Sequence, residues 1–150
     1  MDRARRCGGG IPVAPKVIAF CPEPWTAEAA QLLKRAEAHD TTAGSETVQH
    51  IMAAGLPLLA ARDEAGELVG AYVVTWNATR RDLHVWAAAG DVRGGDMTAA
   101  INADLEHRAH LLGADLISCH TRRGGLVRKL TRAGWGVHGV ILRKFVKATQ

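Results

Sequence analysis

The chain has 150 residues, 47% of them hydrophobic and 23% charged, with a formal net charge of +4 at pH 7. That length suits one domain able to bury roughly 68 to 70% of the surface its unfolded form exposes. The charge permits an acidic partner without requiring nucleic acid, and the apolar runs are too short to span a bilayer.

The three cysteines, Cys7, Cys21 and Cys119, form no Cys-x-x-Cys pair, so neither a disulfide framework nor a zinc knuckle is indicated and a reducing compartment is expected. Residues 1–15 carry Arg3, Arg5 and Arg6 and then Gly8, Gly9 and Gly10, without the apolar block of a secretory signal. They are expected to form a flexible arm ahead of one domain over residues 16–150. Lys16 to Cys21 alternates as a first strand, which Pro22 and Pro24 should stop. Thr26 is placed to cap a helix carrying Ala29, Ala30, Leu32, Leu33 and Ala36 at helical spacing. Ser45 is expected to cap a shorter helix that buries Val48, Ile51 and Met52 and stops at Gly55.

Three strands in series follow, Pro57 to Arg62, Leu68 to Trp76 and Leu83 to Ala89, and the short turns between them make neighbours antiparallel. In the second, Leu68, Gly70, Tyr72, Val74 and Trp76 share one face, while Val69, Ala71, Val73 and Thr75 share the other. Both faces are apolar, which places the strand mid-sheet. From Met97, the residues Ala100, Ile101, Leu105, Ala109 and Leu112 form an apolar stripe opposite Asn102, Glu106, His107 and His110, and Gly113 ends that helix. A strand over residues 114–121, a short helix burying Leu126, Val127 and Leu130, and a closing strand from Val137 to Val146 complete the chain. Cys119 reads as a buried, inert thiol.

The predicted class is therefore α/β of the α+β kind: a mixed, mostly antiparallel sheet flanked by helices in the order β-α-α-β-β-β-α-β-α-β. This order, with Gly134-Trp135 after the last helix, resembles the fold of the GNAT superfamily of N-acetyltransferases from Lys16 onward. The resemblance implies acetyl-CoA bound at a Q/R-x-x-G-x-G/A turn between the fourth strand and the following helix, where glycines admit a pyrophosphate to the helix N-terminus. The matching segment runs from Arg93 through Gly94, Gly95, Asp96 and Met97 to Thr98, so Asp96 and Thr98 replace the two small motif residues. Asp96 is well suited to cap the helix itself. A carboxylate ~4 Å from a phosphate charge costs on the order of 1 to 4 kcal/mol, enough to weaken binding about tenfold or more.

The family's tyrosine proton donor, four residues before the glycine of a Gly-Phe pair, corresponds to Leu130 here, and the family's asparagine corresponds to Arg123. Tyr72, the single tyrosine, falls on a central strand where a core position is expected. A general base is available in Asp82, His84 or Glu106, none singled out by spacing. His107 and His110 lack a third metal ligand and read as a solvated face. Arg122, Arg123, Arg128, Lys129 and Arg132, with Arg143, Lys144 and Lys147, make a cationic patch in which only Trp135 is aromatic. Nucleic-acid binding is therefore possible in principle but not favoured.

The stretch from Leu116 to Lys144, with Thr121 to Lys129 and a closing Ile141 to Lys144, is similar to small acyltransferase-like proteins encoded among bacteriophage virion genes. By that resemblance, the missing motif residues imply a non-catalytic structural or interaction protein. It would be a virion component packed against other protein subunits of the capsid or tail, with no catalytic residue, metal, cofactor or membrane. The alternative is a cytoplasmic, acetyl-CoA-dependent N-acetyltransferase of a small or protein amine. In it Arg93, Gly94 and Gly95 contact the pyrophosphate and water replaces the phenol.

Overall fold

A computed structural model of the chain describes residues 18–42, 46–91, 95–142, 144 and 146. The expected N-terminal arm, Cys7 and Ser45 lie outside the described residues, as do Arg93, Gly94, Arg143 and Lys147. The elements are β1 (Cys21–Glu23), α1 (Ala27–Leu33), a 3-10 segment (Lys34–His39), α2 (Val48–Ala53), β2 (Leu58–Arg62), β3 (Leu68–Asn77), β4 (Asp82–Gly90), α3 (Met97–Leu112), β5 (Leu116–Cys119) and α4 (Gly124–Arg132). They build one sheet in the order β1-β2-β3-β4-β5, antiparallel except for the parallel pair β4 and β5.

Local chemistry sets the helix ends. Thr26 Oγ1 accepts from Ala29 N at 3.1 Å and starts α1. Thr47 and the ring of His50 form a reciprocal capping box that starts α2, where the sequence pointed to Ser45. Gly55 and Gly113, both at φ +68°, end α2 and α3 in the left-handed region that a side chain disfavours. Met52 is 36% exposed, contrary to expectation, because only Val48 and Ile51 face the sheet.

Two apolar layers sandwich the sheet. On one face Leu59, Tyr72, Val74, Leu83 and Val85 pack with Ile101, Leu105 and Ala109 of α3. On the other, Leu58, Ala71, Val73 and Ala87 pack with Ala29 and Leu33 of α1 and Val48 and Ile51 of α2. Leu112 extends past the sheet and is 47% exposed, so the stripe of α3 ends one turn earlier than its sequence pattern. The expected alternation along β3 holds from Gly70 onward. A register shift opposite Ala61 and Arg62 makes Val69 an extra residue, so Leu68 joins the α1 side and Val69 the α3 side.

The two ends of the sheet depart from the sequence reading. β1 includes Pro22, paired with Leu59, rather than ending before it. A proline lacks an N–H but is tolerated here because β1 is an edge strand. Ile18 and Phe20, read as strand residues, serve as core instead, and the Phe20 ring meets Tyr72 edge-on at 5.2 Å. At the other end there is no closing strand among the described residues. Val137, Val140, Leu142 and Val146 are 73%, 81%, 90% and 86% exposed. β propensity expresses itself only against a neighbouring strand, and β5 contributes four residues, all of them paired to β4.

Candidate active site

The parallel pairing of β4 with β5 runs from Asp82 and Leu116 to Val85 and Cys119 and then stops, while β4 continues to Gly90. The strands splay there. A bulge lies at the same point: Val73 pairs with Ala87 but Val74 with Val85, which leaves Trp86 as an extra residue. Beyond Val85, the edge of β4 facing β5 has no ladder partner among the described residues. A cleft of about 630 Å³ occupies the splay and reaches both faces of the sheet. The N-terminus of α3 closes on the sheet at its mouth. A Cβ on Gly90 would stand 2.7 Å from the Val69 carbonyl oxygen and 2.9 Å from Met97 Cγ, so this approach requires a glycine.

On the α1 side the cleft is walled by His84, Trp86, His120 and Glu37. His84 Nδ1 lies 2.8 Å from Ser118 Oγ, and Ser118 Oγ lies 2.8 Å and 3.0 Å from the two oxygens of Asp82. The hydroxyl has one proton, and the carboxylate can only accept. Ser118 therefore donates to Asp82 and accepts from Nδ1–H of His84, which leaves Nε2 as the lone-pair nitrogen of the ring. The ring also meets Trp86 and His120 edge-on, at 5.2 Å and 5.1 Å. Burial, then the neighbouring His120 and Arg80, lower the His84 pKa from the ordinary 6.5, with Asp82 pulling the other way. The imidazole is thus neutral at pH 7.

Of the other two candidate bases, Asp82 is buried behind Ser118 with Arg80 3.7 Å away, and Glu106 is exposed, occupied by Asn102 Nδ2 at 2.9 Å and absent from the cleft wall. Sequence reasoning missed Ser118, His120 and Trp86. The available signal was Asp82, His84 and Trp86 recurring on one face of an otherwise apolar strand.

On the α3 side the wall comprises Gly95, Thr98, Asn102, Lys129, Leu130 and Trp135. Asp96 caps α3 as expected, its Oδ1 accepting from Ala99 N at 3.2 Å, and Lys129 Nζ stands 3.6 Å from the same oxygen. The carboxylate at the helix end is therefore partly offset by a cation that the sequence did not pair with it. Leu126, Val127 and Leu130 are only half-buried, and no residue of α4 is buried, so the helix covers less than its sequence suggested. Trp135 donates from Nε1 to Asn102 Oδ1 at 2.7 Å, which ties the turn after α4 back to α3. It is thus not an aromatic interleaved with surface charges. Arg123 precedes α4 and lines the cleft.

The cationic patch is divided. Arg122 donates to the Ala38 carbonyl at 3.0 Å and Lys129 pairs with Asp96, while Arg128 and Arg132 point outward. His107 and His110 are exposed, and no set of three or more metal-ligating side chains gathers among the described residues. Cys119 is half-buried on the cleft wall, and burial raises its pKa, which keeps the thiol protonated.

A second polar group, part-buried and also missed from sequence, lies against the core. The Tyr72 hydroxyl donates to Asp104, and Arg108 Nε reaches that hydroxyl at 3.1 Å, Asp104 at 2.7 Å and, through Nη2, the Phe20 carbonyl at 2.8 Å. Burial, reinforced by the Asp104 hydrogen bond, pushes the phenol pKa far above its ordinary value. Tyr72 is thus a core residue, as expected from its strand, and fastens α3 to β3.

No family model matches the chain, and no curated protein matches it. Solved structures do. A protein from Bacillus halodurans, in a mutant form, superposes with a TM-score of 0.65 at 15% identity, covering 88% of this chain and 100% of its own. A Trypanosoma brucei acetyltransferase gives 0.57 at 14% identity, over 86% and 99% of the two chains. A GNAT superfamily phosphinothricin acetyltransferase from Sinorhizobium meliloti, in complex with AcCoA, gives 0.58 at 15% identity, over 83% and 77%. The fold is the GNAT fold. No described helix is long and apolar enough to cross a membrane.

Proposed function

We propose that the chain is an acyl-CoA-dependent N-acyltransferase whose site is the cleft between β4 and β5. The observation that supports this reading is the splay itself, with the β4 edge open beyond Val85 among the described residues and the His84 ring beside it on the same strand. The similar acetyltransferases add that the fold is compatible with such chemistry, one of them being a complex with AcCoA. The residues present fit an acyl-CoA: the open β4 edge from Trp86 to Gly90 suits an extended chain bearing amides, and Gly95, Arg123 and Lys129 line the cleft. By the motif resemblance, Arg93 and Gly94, which lie outside the described residues, are the further candidates for contacting the pyrophosphate. Bound there, the group supplies an acyl thioester.

The protein's own part is positional and electrostatic. Strand-like pairing along β4 would fix the donor's direction, and the bulge at Trp86 lies beside the point where the strands part. Half-buried Leu126 and Leu130 present apolar surface to the cleft on that wall. Leu130 has no proton to give, so a proton for the leaving sulfur would have to come from water or from His84. The non-catalytic reading rested on Asp96, Thr98, Leu130 and Arg123, and its virion part on the resemblance of the stretch from Leu116 to Lys144. Asp96 is partly offset by Lys129, and nothing among the described residues points to a capsid or tail partner.

Calorimetric titration of the protein with acetyl-CoA tests the proposal. Saturable heat at one site per chain, weakened by Gly90→Val at the mouth of the cleft, is expected. No heat at millimolar acetyl-CoA rules the reading out.

A further inference from the structure

We infer that His84, oriented by Ser118 and Asp82, accepts the proton of the attacking amine, and that the acceptor is an amine of low basicity such as a peptide α-amino group rather than a lysine-type alkylamine. The inference rests on the cleft reading above. It is carried by the connectivity across the parallel pair, in which Asp82 and Ser118 hold the ring and neither occupies Nε2.

That connectivity also sets how strong a base the ring can be. A carboxylate bonded directly to Nδ1–H stabilises the imidazolium and raises its basicity. Here a neutral hydroxyl stands between ring and carboxylate. The groups around the ring oppose a positive charge further: His120 lies across the cleft wall, and Arg80 approaches from the β3–β4 turn. On the 3-10 side, Glu37 and Asp40 line the same cleft but are engaged locally, Glu37 Oε1 by Val48 N at 2.9 Å and Asp40 Oδ1 by Thr42 N at 2.7 Å. His84 is thus a weak base whose lowered pKa agrees with its surroundings.

A weak base suits an acceptor that is already partly unprotonated. At pH 7 about one in ten α-amino groups is free, against about one in 2,500 lysine side-chain amines. The reaction balances without another reagent. The amine nitrogen bonds to the acyl carbon as the carbon–sulfur bond breaks, one N–H proton passes to Nε2, and the imidazolium returns a proton to the departing sulfur.

The test uses the full chain, acetyl-CoA, an alanyl dipeptide and an Nα-blocked lysine. The dipeptide should exceed the lysine in kcat/KM by a hundredfold or more at pH 7. His84→Gln should lower kcat by a hundredfold or more with the acetyl-CoA affinity within twofold. Ser118→Ala should lower kcat about tenfold and move the midpoint of the pH profile. Nitrogen-15 spectra of the wild-type imidazoles at pH 7.5 should show His84 as the Nδ1–H tautomer, and they decide the question even if a variant fails to fold. Equal or faster turnover of the lysine, a His84→Gln kcat within threefold of wild type, or an Nε2–H tautomer overturns the inference. Binding of acetyl-CoA without turnover of either amine overturns it while leaving the cleft reading in place. Absence of binding removes both.

Discussion

The β2–β4 meander and the segment after Leu116 are built to different standards. In the meander Tyr72, Val73 and Leu83 are 0%, 0% and 2% exposed, with helices on both faces. Across the splay, β5 is short, α4 buries no residue, and the apolar side chains of residues 137–142 face outward. His84 stands at the boundary, on the rigid side but held by Ser118 of the loose side. A cleft with one firm wall and one lightly packed wall can hold its base in place while the other wall adapts to a ligand.

The sharpest way to break this contrast is to truncate a leucine on each side. Leu83→Ala should cost about 2 to 5 kcal/mol, whereas Leu142→Ala should stay within about 0.5 kcal/mol, both read from urea midpoints at constant slope. Tyr72→Phe comes next, since it removes a hydroxyl from a part-buried ion pair and should cost about 1 to 3 kcal/mol. Its effect should register in hydrogen exchange along α3 and β3 and leave α4 unchanged.

Asp96→Ala separates stability from binding. Loss of the α3 cap should cost about 0.5 to 2 kcal/mol, yet removing the carboxylate should tighten acetyl-CoA binding about tenfold. Weaker binding would show that Asp96 serves the ligand. The smallest effect is the pH dependence of stability. His84 titrates below its unfolded value of about 6.5, so in that window the unfolded chain binds more protons and stability falls as pH falls. In His84→Gln the loss of stability between pH 7 and 5 should be shallower, measured by thermal unfolding at each pH.

How much of this was legible in the sequence follows from the range of the forces involved. Local patterns read correctly: the Thr26 and Asp96 caps, the stripe of α3 as far as Ala109, the glycine stops and the three meander strands each depend on residues within a few positions. Tertiary partners did not. Pro22 pairs because β1 is an edge, and Val137 to Leu142 remain unpaired for want of a neighbour, which no local propensity reports. The site was the least legible. Asp82 and His84 meet Ser118 only because β4 and β5 are parallel neighbours, and Tyr72 meets Asp104 and Arg108 only because α3 crosses β3.

The most direct test of the central claim is an amide titration of nitrogen-15-labelled protein with acetyl-CoA. The account predicts shifts concentrated at Trp86 to Gly90, Gly95 to Thr98 and Leu126 to Leu130, with β1 and β2 unchanged. Shifts confined to β1, β2 or α1, or none at saturating acetyl-CoA, would contradict it.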